Sequence, residues 1–554
     1  MHTSMLALFL LALLAAARAD RYHRERAAPA TARGFRAIAP DPAERDASYW
    51  YDEAFAAIDE RLEEPPYDEV ARNVVMFLGD GLSVPTLAPA RTLRGQRAGR
   101  SGEEERLAFE RFPVTGLAKT YCVDQQIADS ACTATAYLCG VKNNYGTLGV
   151  TAHVPRYDCA ASSDPATHLQ SIAAWALADG RSAGIVTTTR ITHASPAGAY
   201  ANIADRGWEN DGAVVRAGHD PALCPDIADQ LVNSFPGNQF QVILGGGRRE
   251  FRSNTTTDEE GAEGNRWDGR DLVEEWRAQR QAAGDSHAYI WNRTELLQAI
   301  ADPPEYLLGL FEAGHMQYAA EARKALNDEP TLAEMTEAAI RVLSKNPRGF
   351  FLFVEGGRID HAHHDTIPYL ALDETLALDD AVVRADALLP AASSLLVLTA
   401  DHSHVMAFNG YSRRGTDILG VSDDIDDEDV PYMTLSYTNG PGHRSHIDGR
   451  RVDVTLDNDF GKRSIAWQTH TDVPLESETH GGDDVAVFAR GPQQALFTGL
   501  YEQSQLPHLM AHAACLGPAA ERRALCTQPS HAALQTAPAV PLLLIVYAAL
   551  FRLL

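Results

Sequence analysis

Acids and histidines crowd the stretch VEGGRIDHAHHD, residues 354–365, straight after the apolar run Phe350-Phe351-Leu352-Phe353-Val354. Other apolar runs empty into the same chemistry. Residues 73–78 lead into Gly79-Asp80-Gly81, residues 182–187 into Thr189-Arg190 and then His193-Ala194-Ser195, and residues 395–399 into Asp401-His402-Ser403-His404. Core packing gives no reason for this, because unpaired ionisable groups there are costly to desolvate. If Asp360 opens a helix, His364 lies four residues on and faces the same way, so carboxylate and imidazole can grip one ion. Asp401 and His402 adjoin at a strand end, where a turn aims both inward. Sets mixing oxygen and nitrogen suit zinc, and oxygen-only sets suit magnesium. For His361 and His363 a hydrogen-bonding role behind the ligands is the better reading.

A nucleophile candidate lies in ADSACTATAYLCG, residues 128–140. Asp129-Ser130 precede small, helix-compatible residues, so Ser130 falls at a helix N-terminus, where free N–H groups and the dipole favour an anion. Taken alone, Ser130 reads as an ordinary N-cap. Beside a metal cluster the balance shifts, because a metal-bound serine hydroxyl loses its proton far more readily and becomes a nucleophile.

These groups need strands to deliver them. Near-continuous apolar runs predict strands over 73–78, 182–187, 240–244, 349–354, 395–399 and 485–489, as in a sheet buried on both faces. Helical stretches lie between, for example 332–344 and 373–389. The expected class is α/β, with a large, mainly parallel central sheet flanked by helices on both faces and ligands beyond the carboxyl ends of its strands. Residues 49–62 could form a short amphipathic helix ended by Pro65-Pro66. From 407 to 478 the texture turns rich in Gly, Asp, Ser and Thr, which reads as an inserted surface subdomain. Its acidic run SDDIDDEDV, 422–430, reads as a solvated loop and lacks the glycine of an EF-hand.

The formal net charge of -27 excludes a nucleic-acid-binding surface, which needs a basic stripe. Residues 1–19 read as a signal peptide: an apolar run precedes Ala17-Arg18-Ala19, a small-x-small cleavage site. The apolar C-terminal stretch, preceded by small and polar residues, reads as a glycosylphosphatidylinositol (GPI) attachment signal over 529–554, removed in maturation. Ser530 or Ala532 would serve as attachment residue, and a short transmembrane helix is the alternative. Sequons at Asn254 and Asn292 suit an extracellular chain. Seven cysteines leave at least one unpaired or pairing between chains. Cys515 and Cys526 are the easiest local pair, while spacing leaves the state of Cys122, Cys132 and Cys139 open.

The set FLGDG, DSACTATAYLCGVK, VTTTRITHASPAG, WNRTELL, GFFLFVEGGRIDHAHHD, LTADHSH and ETHGGDDVAVFARGP closely resembles animal alkaline phosphatases, over about residues 45–526. Cys132, where many vertebrate members have glycine, together with Cys122, points to the insect membrane-bound branch. The resemblance implies that Ser130 becomes phosphoserine. It implies one zinc on Asp360, His364 and His480, a second on Asp80, Asp401, His402 and Ser130, and magnesium on Asp80, Ser195 and Glu355. Arg206, in NIADRGW, matches the arginine that clamps phosphate through two hydrogen bonds. His193, His361 and His404 match positions just behind the ligands. A calcium site would fall on Glu260, the Phe311 carbonyl, Glu312 and Glu329, the last where vertebrate members usually carry aspartate. The family pairs Cys159 with Cys224 and Cys515 with Cys526.

The family's organisation implies an N-terminal arm or pro-segment over 20–67, a catalytic domain over 68–406 and 479–528, and a crown-like insertion over 407–478. It also implies a homodimer, embraced by that arm and held by a GPI anchor on the outer face of the plasma membrane. The expected activity is hydrolysis of phosphate monoesters. Two competing readings are a cell-surface binding protein with incidental catalysis and a related phosphodiesterase or sulfatase. Relatives of the latter kind typically use threonine or a modified cysteine, and Ser130 with Arg206 speaks against them.

Overall fold

Strands of four to nine residues, bounded by glycines and polar turns, assemble into one ten-stranded sheet. In chain order its strands are β1 (Asn73–Gly79), β2 (Val114–Lys119), β3 (Ser182–Arg190), β4 (Val242–Gly246) and β5 (His287–Ile290). Then follow β6 (Tyr306–Leu310), β7 (Phe350–Gly356), β8 (Ser394–Ala400), β9 (Val485–Arg490) and β10 (Gly499–Glu502). Their spatial order is β10-β2-β9-β8-β1-β7-β3-β4-β6-β5. All neighbours run parallel except β9, which is antiparallel to both β8 and β2. The computed structural model describes residues 42–45, 49, 56, 69–325, 327–457, 465–522 and 526. The expected signal peptide, the helix over 49–62 apart from two isolated positions, and the anchor signal lie outside the described residues.

The central strands β1, β7 and β8 are buried at every residue, as a sheet covered on both faces requires. Helices Leu332–Leu343 and Pro368–Leu388 pack together, the first reaching β3 and β7 and the second β1 and β7. A separate group, helices Ser130–Cys139, Ile172–Ala178 and Leu506–Ala514, packs together and covers the other face. Thr331 and Glu334 close a capping box on helix Leu332–Leu343. The helix expected from 373 starts five residues earlier because Pro368 occupies its first turn, where no N–H is needed.

Register aligns the strand ends. Leu78 of β1 and Thr187 of β3 both sit opposite Glu355 of β7, and Gly79 sits opposite Ala400 of β8. Asp80, Glu355 and Asp401 therefore emerge at one edge. Because β9 runs against its neighbours, the residues before its start, His480 among them, arrive at that same edge.

Between β8 and β9 the chain builds a three-stranded sheet from Met406–Phe408, Leu435–Gly440 and Thr471–Pro474. The acidic run expected as a loop is largely a hairpin, Val421–Ile425 against Pro431–Met433. Two of its six acids are ion-paired locally, Asp423 with Arg413 and Asp426 with Arg451.

Candidate active site

The carboxyl edge of β8, β1, β7 and β3 gathers the chemistry. Asp80, Glu355, Asp401 and His402 are wholly buried, and Asp360 and Ser130 nearly so. Helix Arg358–His364 follows β7 directly and presents Asp360 and His364 on one face, 3.3 Å apart. Ser130 is the first residue of helix Ser130–Cys139. Asp129, not Ser130, is its N-cap, accepting from the Cys132 N–H. The plain capping reading of Ser130 is thereby overturned: Asp129 satisfies the helix end and leaves the Ser130 hydroxyl free to lie 3.3 Å from His402 Nε2.

Two histidines define the first cluster. His364 Nδ1 donates to the Glu478 carbonyl at 2.5 Å, and His480 Nδ1 donates to the Ala128 carbonyl at 2.7 Å. Each Nδ1 therefore holds the ring's one proton, and each Nε2 presents a lone pair. Those two Nε2 atoms face each other at 3.1 Å, and Asp360 Oδ1 lies 3.3 and 3.4 Å from them. Three electron-rich atoms converging without a proton between them repel unless a cation sits among them. His404 is different. Its nitrogens meet Glu478 Oε2 at 2.5 Å and Asp360 Oδ1 at 2.8 Å. Burial opposes its charge, but these carboxylates push it up to about 10. His404 is thus a buried imidazolium that orients Asp360.

The second cluster joins Asp80, Asp401 and His402, whose potential ligand atoms lie within 4.8 Å of one another. His402 Nε2 is 3.0 Å from Asp401 Oδ2 and 3.5 Å from Asp80 Oδ1, yet neither oxygen is in hydrogen-bonding geometry. The other Asp401 oxygen accepts from the Gly81 N–H at 2.8 Å. Ser195 Oγ lies 3.5 Å from Asp80 Oδ2. Glu355 Oε2 accepts from Thr187 and Thr189, leaving Oε1 without a partner.

Charge crowding is the electrostatic signature. Burial, then the carboxylates of Asp401, Asp360 and Glu355, hold Asp80 well above the ordinary carboxylate range. Burial pushes Glu355 up to about 7, although the hydroxyls of Thr187 and Ser195 pull the other way. Buried acids with orphaned oxygens call for cations, since neutral packing cannot satisfy them. The residues present thus fit divalent cations: nitrogen-rich donors at His364 and His480, oxygen-only donors at Asp80, Ser195 and Glu355.

Arg206 donates to Asp129 Oδ2 and to His193 Nε2, both at 3.1 Å, so its guanidinium stands beside the Ser130 helix end. Arg358 donates to His361 Nδ1 at 2.9 Å. Burial and neighbouring cations hold His193 and His361 neutral, and His315, which the sequence reading did not single out, packs edge-on against both. His363 packs behind the first cluster, its ring centre 4.8 Å from that of His404, and bonds to Thr86 and Tyr437.

Away from this edge, Glu260, Glu312 and Glu329 come together. Burial, then the Glu312 and Glu260 charges, push Glu329 up to about 7, while Glu260 also pairs with Arg248. Asn254 lies on an exposed turn, and Asn292 caps the helix Arg293–Ala301. Disulfides join Cys159–Cys224, Cys515–Cys526 and Cys122–Cys132, leaving Cys139 as a buried thiol.

The alkaline phosphatase family model matches residues 71–516. A membrane-bound alkaline phosphatase of Bombyx mori is 59% identical over 529 residues, covering 95% of this chain and 94% of that protein. The human tissue-nonspecific isozyme is 45% identical, covering 86% of this chain and 90% of its own length. Among solved structures, the Thermus thermophilus alkaline phosphatase superposes with a TM-score of 0.55 at 23% identity, over 82% of this chain and 93% of that one. The enzyme from the Antarctic bacterium TAB5 gives 0.54 at 19% identity, over 81% and 99%. With a site of converging acids and histidines on this sheet edge, and relatives this similar along nearly their whole length, the chain belongs to the alkaline phosphatase family.

Proposed function

We propose that the enzyme hydrolyses phosphate monoesters to alcohol and inorganic phosphate through a phosphoserine on Ser130. The observation that carries this reading is the pair of unprotonated Nε2 atoms of His364 and His480 facing each other beside Asp360, with Ser130 at the adjoining cluster. Asp360, His364 and His480 would hold one zinc, Asp80, Asp401, His402 and Ser130 a second, and Asp80, Ser195 and Glu355 a magnesium. When bound, these ions lower the pKa of the serine hydroxyl and of water and stabilise charge on the leaving oxygen.

The chain's own residues do the rest. The helix end presents Ser130 Oγ with free backbone N–H groups around it, and Asp129 keeps that end fixed. Arg206 offers a planar fork of donors to two phosphoryl oxygens. Ser130 Oγ forms a bond to phosphorus as the ester P–O bond breaks, and the alcohol leaves with a proton. Water then attacks the phosphoserine, phosphate departs, and Oγ regains a proton. His404 holds Asp360 in place throughout.

The same reading places calcium on Glu260, Glu312, Glu329 and the Phe311 carbonyl, and the protein as a homodimer on the outer cell surface. In support of membrane attachment, the Bombyx relative is named as membrane-bound. Rates on a monoester and a diester, with and without a zinc chelator, test the function. Chelator-sensitive monoester turnover that dominates diester turnover is expected; equal or chelator-insensitive rates would overturn it.

A further inference from the structure

Helix Ser130–Cys139 carries the nucleophile candidate at its first residue and Tyr137 seven residues later. Two turns on, a side chain returns to the same face of a helix. The Tyr137 ring stacks on Phe353 of β7, with ring centres 6.2 Å apart and planes at 13°. Phe353 and Glu355 stand two residues apart on that strand and so project from one face of the sheet. Tyr137 therefore lies on the face from which Glu355 projects. The turn Ala194–Ala197, which bears Ser195, packs against the same helix. The approach is close: a Cβ on Gly198 would come within 2.6 Å of the Ala134 side chain.

Tyr137 is wholly buried, and its hydroxyl has no hydrogen-bond partner among the described residues. Its polar neighbours are the Ser195 hydroxyl and the carboxylates of Asp401, Glu355 and Asp80. An orphaned phenol in a core costs free energy that a phenylalanine, filling the same space and stacking on Phe353 as well, would not. Packing thus accounts for the ring and not for its oxygen. Ser195 has the complementary need. A serine hydroxyl holds one proton and two lone pairs. Asp80 Oδ2, 3.5 Å away, and Glu355 compete for the proton. One lone pair can serve an ion, and the other is left for a donor such as the phenol beside it.

We propose that Tyr137 is a positioning residue for magnesium: its hydroxyl donates to Ser195 Oγ and fixes the rotation in which a Ser195 lone pair faces the ion. The inference rests on the reading of Asp80, Ser195 and Glu355 as magnesium ligands. It puts the nucleophile and a support of the magnesium site on one rigid helix.

The test is magnesium titration of the zinc-loaded full chain, read by equilibrium dialysis and elemental analysis, for the parent, Tyr137→Phe, Ser195→Ala and the double variant. Tyr137→Phe keeps the ring and its stack, so the chelated variant is expected to melt no lower than the chelated parent and to take up as much zinc. Its magnesium dissociation constant is expected to rise about tenfold, the scale for losing a group that orients a metal ligand. Ser195→Ala removes the acceptor, so adding Tyr137→Phe to it is expected to change magnesium affinity by less than about twofold. Unchanged magnesium affinity in Tyr137→Phe, an equal loss of zinc, or a further loss of about tenfold in the Ser195→Ala background overturns the role of Tyr137. So does a chelated Tyr137→Phe that melts lower than the chelated parent, because the hydroxyl would then serve the fold without the ion. A parent that binds no magnesium, or a Ser195→Ala variant that binds it as tightly as the parent, overturns the magnesium reading instead.

Discussion

Ser130 is set apart from ordinary helix-start serines by what Asp129 does for it. With Asp129 capping the helix and holding Arg206, the hydroxyl is left facing His402. Ser130→Ala is expected to lower turnover at least about a hundredfold, since it removes the covalent route; p-nitrophenyl phosphate assays check this. Asp360→Ala is expected to lose zinc, because the Nε2 atoms of His364 and His480 would lose the carboxylate that shares their ion; elemental analysis of the purified variant reads it directly. At this scale the strand-end pattern was informative. Asp80, Glu355, Asp360, His364, Asp401 and His402 were all selected by that pattern and all meet in space. His480 and Arg206 entered only through family resemblance, as did the ligand role of Ser195, whose place after β3 the pattern had already shown. A serine in THASP and an arginine in ADRGW carry no local mark, and their partners Asp80 and Asp129 are far away in sequence.

Among the elements, β9 explains why His480 escapes a search of strand ends. It is antiparallel, so it brings its beginning, not its end, to the shared edge. The six strands anticipated are buried along nearly their whole length, where continuous apolar runs are plain; β6 is buried too, but its short run is broken by Gly309. β2 alternates buried and exposed residues, and β10 is a short edge strand with Leu500 in solvent, so neither shows such a run. The Cys122–Cys132 bridge could not be settled by spacing, because three cysteines compete in one segment. The fold separates them: Cys132 turns toward the loop before the helix, and Cys139 turns inward to the core. Cys122→Ser with Cys132→Ser is expected to cost about 2–3 kcal/mol in denaturant unfolding, the loop-closure scale for such a short ring. Thiol titration of the unreduced, denatured parent should find a single reactive cysteine, Cys139.

For the whole molecule, the sheet edge concentrates acidity that only cations relieve, and this couples metal content to stability. In metal-stripped protein Asp80 and Glu355 hold protons that the unfolded chain would release, so the folded state binds more protons. Their contribution to stability falls as pH rises from the ordinary glutamate value of 4.5 through about 7, against the opposite contribution of the buried neutral histidines His193 and His361. Asp401 has the opposite sign: burial is outweighed by His402 and Gly81, which hold it at about 2, so its contribution is lost only on acidification below the ordinary carboxylate range. Chelated Glu355→Gln should therefore lose less melting temperature than the chelated parent between about pH 5 and pH 7.5, and added zinc and magnesium should remove that difference in slope. Identical pH profiles for the two chelated proteins would mean that Glu355 is not crowded as described.

The most direct measurement is mass spectrometry of metal-replete enzyme quenched in acid during turnover of a phosphate monoester. Phosphate on the peptide that contains Ser130, absent from Ser130→Ala, is the predicted result. Turnover with no phosphate on Ser130, or with phosphate on a different residue, would contradict the mechanism.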